Sequence, residues 1–304
     1  MVPTSLRPGP VLVASDFSEA ADVAIRQACK WAISANRELS ALHVIAGGVP
    51  VHPLFPQLHQ RDVTEVVTFE RSLAERLSER IKGCTGLDID ASRVHVDFGD
   101  PYAAIVRKAE QTGASLLVVG ESGTTGLKRI FLGSVAEKVV KNAHCSVLVA
   151  RPVSDGLVVL AATDLSDPAL SALQTAASEA KTRGLPLEVM HNIDLWPSLV
   201  SGLALLGPVP IAPDEEMVAE QKAGMLRIMQ TQLERLEVTA KLEVTTEGDS
   251  AAAIVRMADS RHAELLVLGS RGRTGLARLA LGSVAEQVVR YAHCSVLVVR
   301  TTNN

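Results

Sequence analysis

The sequence predicts an α/β protein built from two tandem copies of a five-stranded parallel-sheet unit, and three observations carry that prediction. The first is an internal repeat: at an offset of 149, about 26 of the 40 positions in 112–151 recur in 261–300. Self-similarity at that level means that one structural unit is written twice. The second is the alternation, within each copy, of short continuous apolar runs with longer segments of helical periodicity, which implies a parallel sheet covered by helices on both faces. The third is composition: of 304 residues 47% are hydrophobic but only 3% aromatic, and an aliphatic core of that kind suits buried parallel strands. At roughly 100 to 200 residues per domain the length also fits two domains, expected at 1–152 and 153–304, with Pro152 to Gly156 as the linker.

In the first copy the run 10–16, PVLVASD, reads as a buried strand bounded by turn formers. From Ser18 to about Ala35 the small apolar residues Ala21, Ala24, Ile25, Ala28 and Ala32 recur at helical spacing, with Asp16 or Ser18 as N-cap and Glu19 in the first turn. Strand two is 39–45, followed by a loop to about Gln60 that carries His52 and His59. A long helix is expected from Val63 to Ile81, with Val63, Val66, Val67, Leu73, Leu77 and Ile81 on one face. Strand three is 93–98. Asp100-Pro101 opens the third helix with proline at its first position. Strand four is 115–120, Gly133 or Ser134 opens helix four, and strand five is 146–151. The second copy repeats this order, with Asp164-Leu165-Ser166 opposite Asp16-Phe17-Ser18.

Charge and cysteine usage narrow the function classes. Thirty basic against 34 acidic side chains give a net charge of -4, without the clustered Lys/Arg face of a nucleic-acid binder or an anionic-membrane protein. No stretch reaches the roughly 18 to 20 apolar residues of a membrane span, and no signal-peptide pattern is evident, so a cytoplasmic location is expected. Cys29, Cys84, Cys145 and Cys294 are scattered and form no CxxC, which points to reduced thiols. His144-Cys145 and His293-Cys294 enter a strand as neighbours and so point to opposite faces, a poor geometry for joint metal ligation. No metal site is expected.

Ligands of parallel sheets sit beyond the carboxyl ends of the strands, where the strand order reverses. The glycine-rich segments fall there. After strand four the first copy reads Gly120-x2-Gly123-x9-Gly133-Ser134, and the second reads Gly269-x2-Gly272-x9-Gly282-Ser283. Glycines leaving a strand let the backbone approach a phosphate, and the Gly-Ser pair opens a helix whose free N–H groups and dipole favour the same anion. Glycines at such a junction also serve simply as turns, and duplication copies turns as well as sites. Arg271, Arg273 and Arg278 in the second loop match a polyphosphate, or equally a solvated basic face.

This motif, the Asp-x-Ser after strand one and a final strand beginning HCSVLV together resemble the universal stress protein family, across 8–152 and 155–301. The resemblance implies a tandem member of the ATP-binding branch, with the Rossmann-like fold of adenine nucleotide alpha hydrolase-like domains. It implies a stress-response regulatory protein that binds ATP, with magnesium, and is at most a weak ATPase. Carried over, the family's nucleotide contacts fall on Asp16, Val44, Gly120, Ser122, Gly123, Gly133, Ser134 and Val135 in the first copy. In the second they fall on Asp164, Asn192, Gly269, Arg271, Gly272, Gly282, Ser283 and Val284. Asn192 stands where the first copy has an apolar Val44, which changes the adenine wall, and Glu121 brings a negative charge into a first loop that lacks the arginines of the second. Phosphate binding is therefore expected to be stronger in the second copy, and adenine fit better in the first. The resemblance also implies that the last strands, 146–151 and 295–300, pair the two domains as an intrachain pseudo-dimer; a homodimer is compatible with it.

No catalytic set stands out: there is no Walker loop, no glycine fingerprint after strand one, no nucleophile elbow and no HExxH. Asp16 and Asp164 serve as helix caps or assist a phosphate-bound magnesium. Two further readings stay open, a nucleotide-independent scaffold for a regulatory partner and a true nucleotide phosphate hydrolase or transferase.

Overall fold

A computed structural model describes residues 6–47, 59–122, 132–152, 155–194, 215–270 and 281–300. The chain forms two compact units, one of Arg7–Pro152 and one of Val153–Asn304 together with Met1–Leu6. The first runs β1 (Val11–Ala14), α1 (Glu19–Ser34), β2 (Leu39–Ala46), α2 (His59–Thr85), β3 (Val94–Gly99), α3 (Pro101–Gln111), β4 (Leu116–Gly120), α4 (Ser134–Asn142) and β5 (Ser146–Ala150). Its strands are all parallel in the order β3-β2-β1-β4-β5. The second runs β6 (Val158–Ala162), α5 (Asp167–Arg183), β7 (Leu187–Asn192), α6 (Glu215–Arg235), β8 (Lys241–Thr245), α7 (Ser250–Ser260), β9 (Ala263–Gly269), α8 (Ser283–Tyr291) and β10 (Ser295–Val299). It is parallel throughout, in the order β8-β7-β6-β9-β10. Strand order reverses between β1 and β4 and between β6 and β9, which places a crevice at the carboxyl ends of those pairs.

The core explains the composition. Val11, Leu12 and Val13 of β1 and Leu116, Leu117 and Val118 of β4 are fully buried, as are Leu160 and Leu265 to Val267 in the second unit. Helix α1 buries Ala21, Ala24, Ile25, Ala28 and Ala32, the stripe predicted from spacing. The small side chains let the helix lie close on the sheet, and Gly120 accepts that approach: a Cβ there would stand 2.7 Å from the Ala20 carbonyl oxygen.

Two elements of the first copy, β1 and α2, differ from the sequence reading by more than one residue. Strand β1 ends at Ala14 rather than Asp16, because side-chain hydrogen bonds turn the chain immediately afterwards. Helix α2 begins at His59, so His59 is helical rather than a loop residue, while His52 lies outside the described residues. Along α2 the fully buried residues are Leu77 and Ile81, and Val67 is 48% exposed; the inward stripe is narrower than six residues. The side chain of Val63 lies outside the described residues.

A buried carboxyl marks the second unit. Glu179 of α5 is 3% exposed, and Arg183 Nε donates to its Oε2 at 3.1 Å, while Arg183 Nη1 also binds Glu264 of β9. Burial raises Glu179 to about 7; Arg183 pulls it down and Glu264 pushes it up. A carboxyl raised from its unfolded value favours the protonated form in the folded state. Its stabilisation is therefore full below the unfolded value of 4.5 and is lost as pH climbs through about 7. Glu179→Gln cannot ionise, so its stability relative to the native chain is expected to rise between about pH 5 and pH 8, by up to about 3 kcal/mol. Urea unfolding across that range measures it.

Candidate functional site

Each crevice begins with a strained turn. After β1 the chain passes Asp16, Phe17 and Ser18, and Phe17 sits at φ +64°; after β6 Leu165 sits at φ +66°. Bulky residues avoid this left-handed region at a cost of roughly 1–2 kcal/mol, so both turns must be over-determined. They are. Asp16 Oδ1 accepts from Ser18 N at 3.0 Å, Ser15 Oγ from Phe17 N at 3.2 Å, and Ser18 Oγ caps α1 by accepting from Ala21 N at 3.2 Å. In the second unit Asp164 Oδ1 accepts from both Ser166 N, at 3.1 Å, and Ser166 Oγ, at 2.6 Å, and Thr163 Oγ1 accepts from Leu165 N at 3.0 Å. With its hydroxyl spent on Asp164, Ser166 leaves α5 without a side-chain cap.

Two histidines hold these turns from below. His43 Nδ1 lies 2.8 Å from the Ser15 carbonyl oxygen, and His191 Nδ1 lies 2.8 Å from that of Thr163. A carbonyl only accepts, so in both rings Nδ1 carries the proton. Sequence reasoning missed this pair, although a histidine at the same place in both second strands was a readable signal. The carbonyl of the left-handed residue is fixed from the long helix, by Arg80 Nη2 at 3.4 Å from Phe17 O and by Gln232 Nε2 at 3.0 Å from Leu165 O.

The glycine segment is pinned where it leaves and rejoins the described structure. Gly133 N donates to Glu121 O at 2.7 Å, and Gly282 N donates to Ser270 O at 2.9 Å. Gly133 and Gly282 are the N-caps of α4 and α8, in extended conformation and with no side-chain cap bond. The first turn of α8 lines a cavity of the second unit, where the helix dipole favours an anion.

In the second unit Asp164, Asn192, Gly269, Gly282, Ser283 and Val284 line one cavity of about 260 Å³, together with Met190, Ile254 and Leu268. Arg271 and Gly272 lie outside the described residues. Apolar side chains and polar groups at helix starts line it together, as is usual for small-molecule sites. Three helices, α5, α7 and α8, begin at its wall through Ala169, Ser250 and Ser283. In the first unit Asp16, Val44, Gly120, Ser122, Gly133, Ser134 and Val135 occupy the matching positions at the ends of β1, β2 and β4 and the start of α4, and Gly123 lies outside the described residues.

The copies differ where the sequence departs. Asn192 is saturated: Nδ2 donates to Glu247 O at 2.7 Å and to Ser250 Oγ at 3.1 Å, and Oδ1 accepts from Thr245 Oγ1 at 2.7 Å and Glu247 N at 3.0 Å. Its amide ties down the β8–α7 turn; in the first unit the matching turn is held by a backbone bridge between Gly47 and Gly99. Glu121 is paired with Arg151, Nε to Oε2 at 3.1 Å, and the Arg151 side chain is 4% exposed. Ser270, also buried, stands in its place in the second unit. His144 and His293 turn outward onto Glu110 and Asp259, while Cys145 and Cys294 are buried. Among the described residues no group of three or more His, Cys, Asp or Glu side chains is placed to hold a metal ion, and no helix is long and apolar enough to cross a membrane.

A duplicated doubly wound parallel sheet with a crevice at its switch point defines an α/β protein of tandem build. The model of the universal stress protein family matches residues 9–151 and again 158–300, and the chain belongs to that family. It is 28% identical over 308 residues to a universal stress protein of Mycobacterium tuberculosis (strain H37Rv), covering 95% of this chain and 96% of the relative. It is 36% identical over 138 residues to one of Methanocaldococcus jannaschii, covering 45% of this chain and 78% of that protein. A universal stress protein from Archaeoglobus fulgidus shares the fold at a TM-score of 0.64 and 21% identity, over 96% of this chain and 98% of that one.

Asn192→Ala removes four hydrogen bonds from a half-exposed turn and is expected to lower stability by roughly 1–3 kcal/mol. Urea denaturation checks this.

Proposed function

We propose that the crevices bind an adenine nucleotide, ATP carried with magnesium, and that the protein is a cytoplasmic, nucleotide-dependent regulator in the stress response. One observation carries the reading: six residues named from the motif converge on the 260 Å³ cavity, beside helix starts that no side chain caps.

In this reading Gly282, Ser283 and Val284 receive the phosphates through first-turn N–H groups and the Ser283 hydroxyl, while Gly269 and Gly272 let the backbone approach and Arg271 adds charge. Met190, Ile254 and Leu268 pack the base. Asp164 holds the ribose or, through water, the magnesium, an ion that keeps most of its ligands as water and phosphate oxygen. Asp16, Val44, Gly120, Ser122, Gly123, Gly133, Ser134 and Val135 do the same work in the first copy. The uncapped α4 and α8 supply the anion site, and the bound ATP is hydrolysed weakly at most.

The two sites are unequal. Glu121 neutralises Arg151 beside the first glycine segment, so that copy offers a triphosphate less positive charge than the second, where Arg271 adds to it. Titration calorimetry with ATP and magnesium is expected to resolve a tighter second site, weakened roughly tenfold by Ser283→Ala, and Glu121→Ser is expected to tighten the first site. Absence of any binding heat by the native chain would remove the basis of this function.

A further inference from the structure

The amino ends of the first unit's strands, away from its crevice, hold a second cavity. It is a cleft of about 370 Å³, within the range of roughly 300–1,000 Å³ usual for small-molecule sites. Helix α1 supplies Ile33, β2 its first residue Leu39, α2 the fully buried Ile81, and the connection from α2 to β3 supplies Leu87 and Ile89. Ile33 is 64% exposed and Leu87 is exposed as well, so large aliphatic side chains on two different walls of the cleft face water.

A cation lies within this aliphatic frame. Arg37, in the turn between α1 and β2, is half-buried and lines the cleft. Its Nη1 donates to the carbonyl oxygens of Arg7, at 2.5 Å, and of Gly9, at 3.3 Å. Carbonyls solvate a guanidinium without cancelling its charge. The other charged groups of the lining are met locally. Asp88 pairs with Lys82 at 2.9 Å, and Arg93 Nη2 donates to Glu38 Oε1 at 2.6 Å. Asp90 Oδ1 accepts from Ser92 N at 2.8 Å and Ser92 Oγ at 2.6 Å as it caps the 3₁₀ turn Ala91–Arg93. Asp88 and Lys82 are also mostly exposed, where water and salt screen them. Arg37 therefore sets the sign of the interior.

The second unit differs at each of these points. Lys181 stands for Ile33 and Leu185 for Arg37. Leu233 and Lys241 match Ile81 and Arg93, but seven residues separate them where eleven separate the first pair. The longer connection of the first copy is the one that carries Leu87, Asp88 and Ile89. Exposed aliphatic side chains, an inner cation and an added wall thus come together in one copy alone.

We propose that this cleft binds a medium-chain aliphatic carboxylate, its head group on the Arg37 guanidinium and its chain along Leu39, Ile81, Ile89 and the exposed Ile33 and Leu87. The chain takes the exposed aliphatic side chains out of water, and a charge-assisted hydrogen bond replaces hydration of the guanidinium. An alkylammonium of the same length would set its charge against Arg37. The site is separate from the crevice and does not rest on the nucleotide reading.

Titration calorimetry of the full chain with hexanoate, octanoate and decanoate, each below its micelle concentration, is expected to show saturable binding that tightens by up to roughly fourfold per added methylene. Decylamine should bind at least roughly tenfold more weakly than decanoate. Amide hydrogen exchange should slow in 29–39 and 86–93 on saturation with decanoate and stay unchanged in 177–187. Arg37→Leu and Ile33→Glu are each expected to weaken decanoate roughly tenfold. Ile33 is an exposed helix position, so Ile33→Glu and the decylamine comparison still decide the matter where Arg37→Leu fails to fold. No saturable decanoate heat, equal binding of decanoate and decylamine, slowed exchange only elsewhere in the chain, or native affinity in Ile33→Glu would each overturn the proposal.

Discussion

The three-residue turn after the first strand of each copy is the constraint on which the rest depends. A parallel sheet must bury its first strand between two others, yet the chain has to leave that strand at the switch point and start a helix at once. Phe17 and Leu165 absorb the reversal in the left-handed region, against their steric preference. The serine or threonine before the aspartate, the aspartate itself, a histidine from the neighbouring strand and a polar side chain from the long helix all spend hydrogen bonds on holding that conformation. The turn in turn fixes where α1 and α5 begin, and α1 passes so close to the end of β4 that only glycine fits at 120. Gly120 therefore has a packing reason to be glycine that is independent of any phosphate.

Duplication preserved this frame and let the surroundings diverge. One copy fastens its third-strand turn by backbone pairing of Gly47 with Gly99, the other by the saturated amide of Asn192. One copy neutralises a buried arginine with Glu121, whereas the other has Ser270. One clamps its first turn with an arginine braced by Asp22, the other with a single glutamine. Each pair solves the same geometric problem with different charge, so the copies share an architecture but not an electrostatic environment.

The sheet, the α1 stripe and the switch point were legible in the sequence because burial imposes periodicity, and periodicity survives without knowledge of contacts. The proline and aspartate at the start of α3 were legible for the same local reason: Asp100 accepts from Tyr102 N at 3.1 Å as its position predicts. What sequence reasoning missed depends on partners far apart in the chain. Asn192 reads as a polar intrusion until Ser250 and Glu247 stand beside it, and Glu121 reads as a repulsive charge until Arg151 meets it. The start of α2 was misplaced because His59 and the residues after it lack a clean apolar stripe, and Val67 proves that a hydrophobic residue in helical register need not face inward.

The central claim is that an anionic nucleotide sits at the start of α8. A crystal structure of the full chain grown with ATP and magnesium tests it most directly. The account predicts phosphate density against the N–H groups of Ser283 and Val284, with the base between Met190 and Ile254. An unfilled cavity under saturating nucleotide, or nucleotide bound away from Gly282 and Ser283, would contradict it.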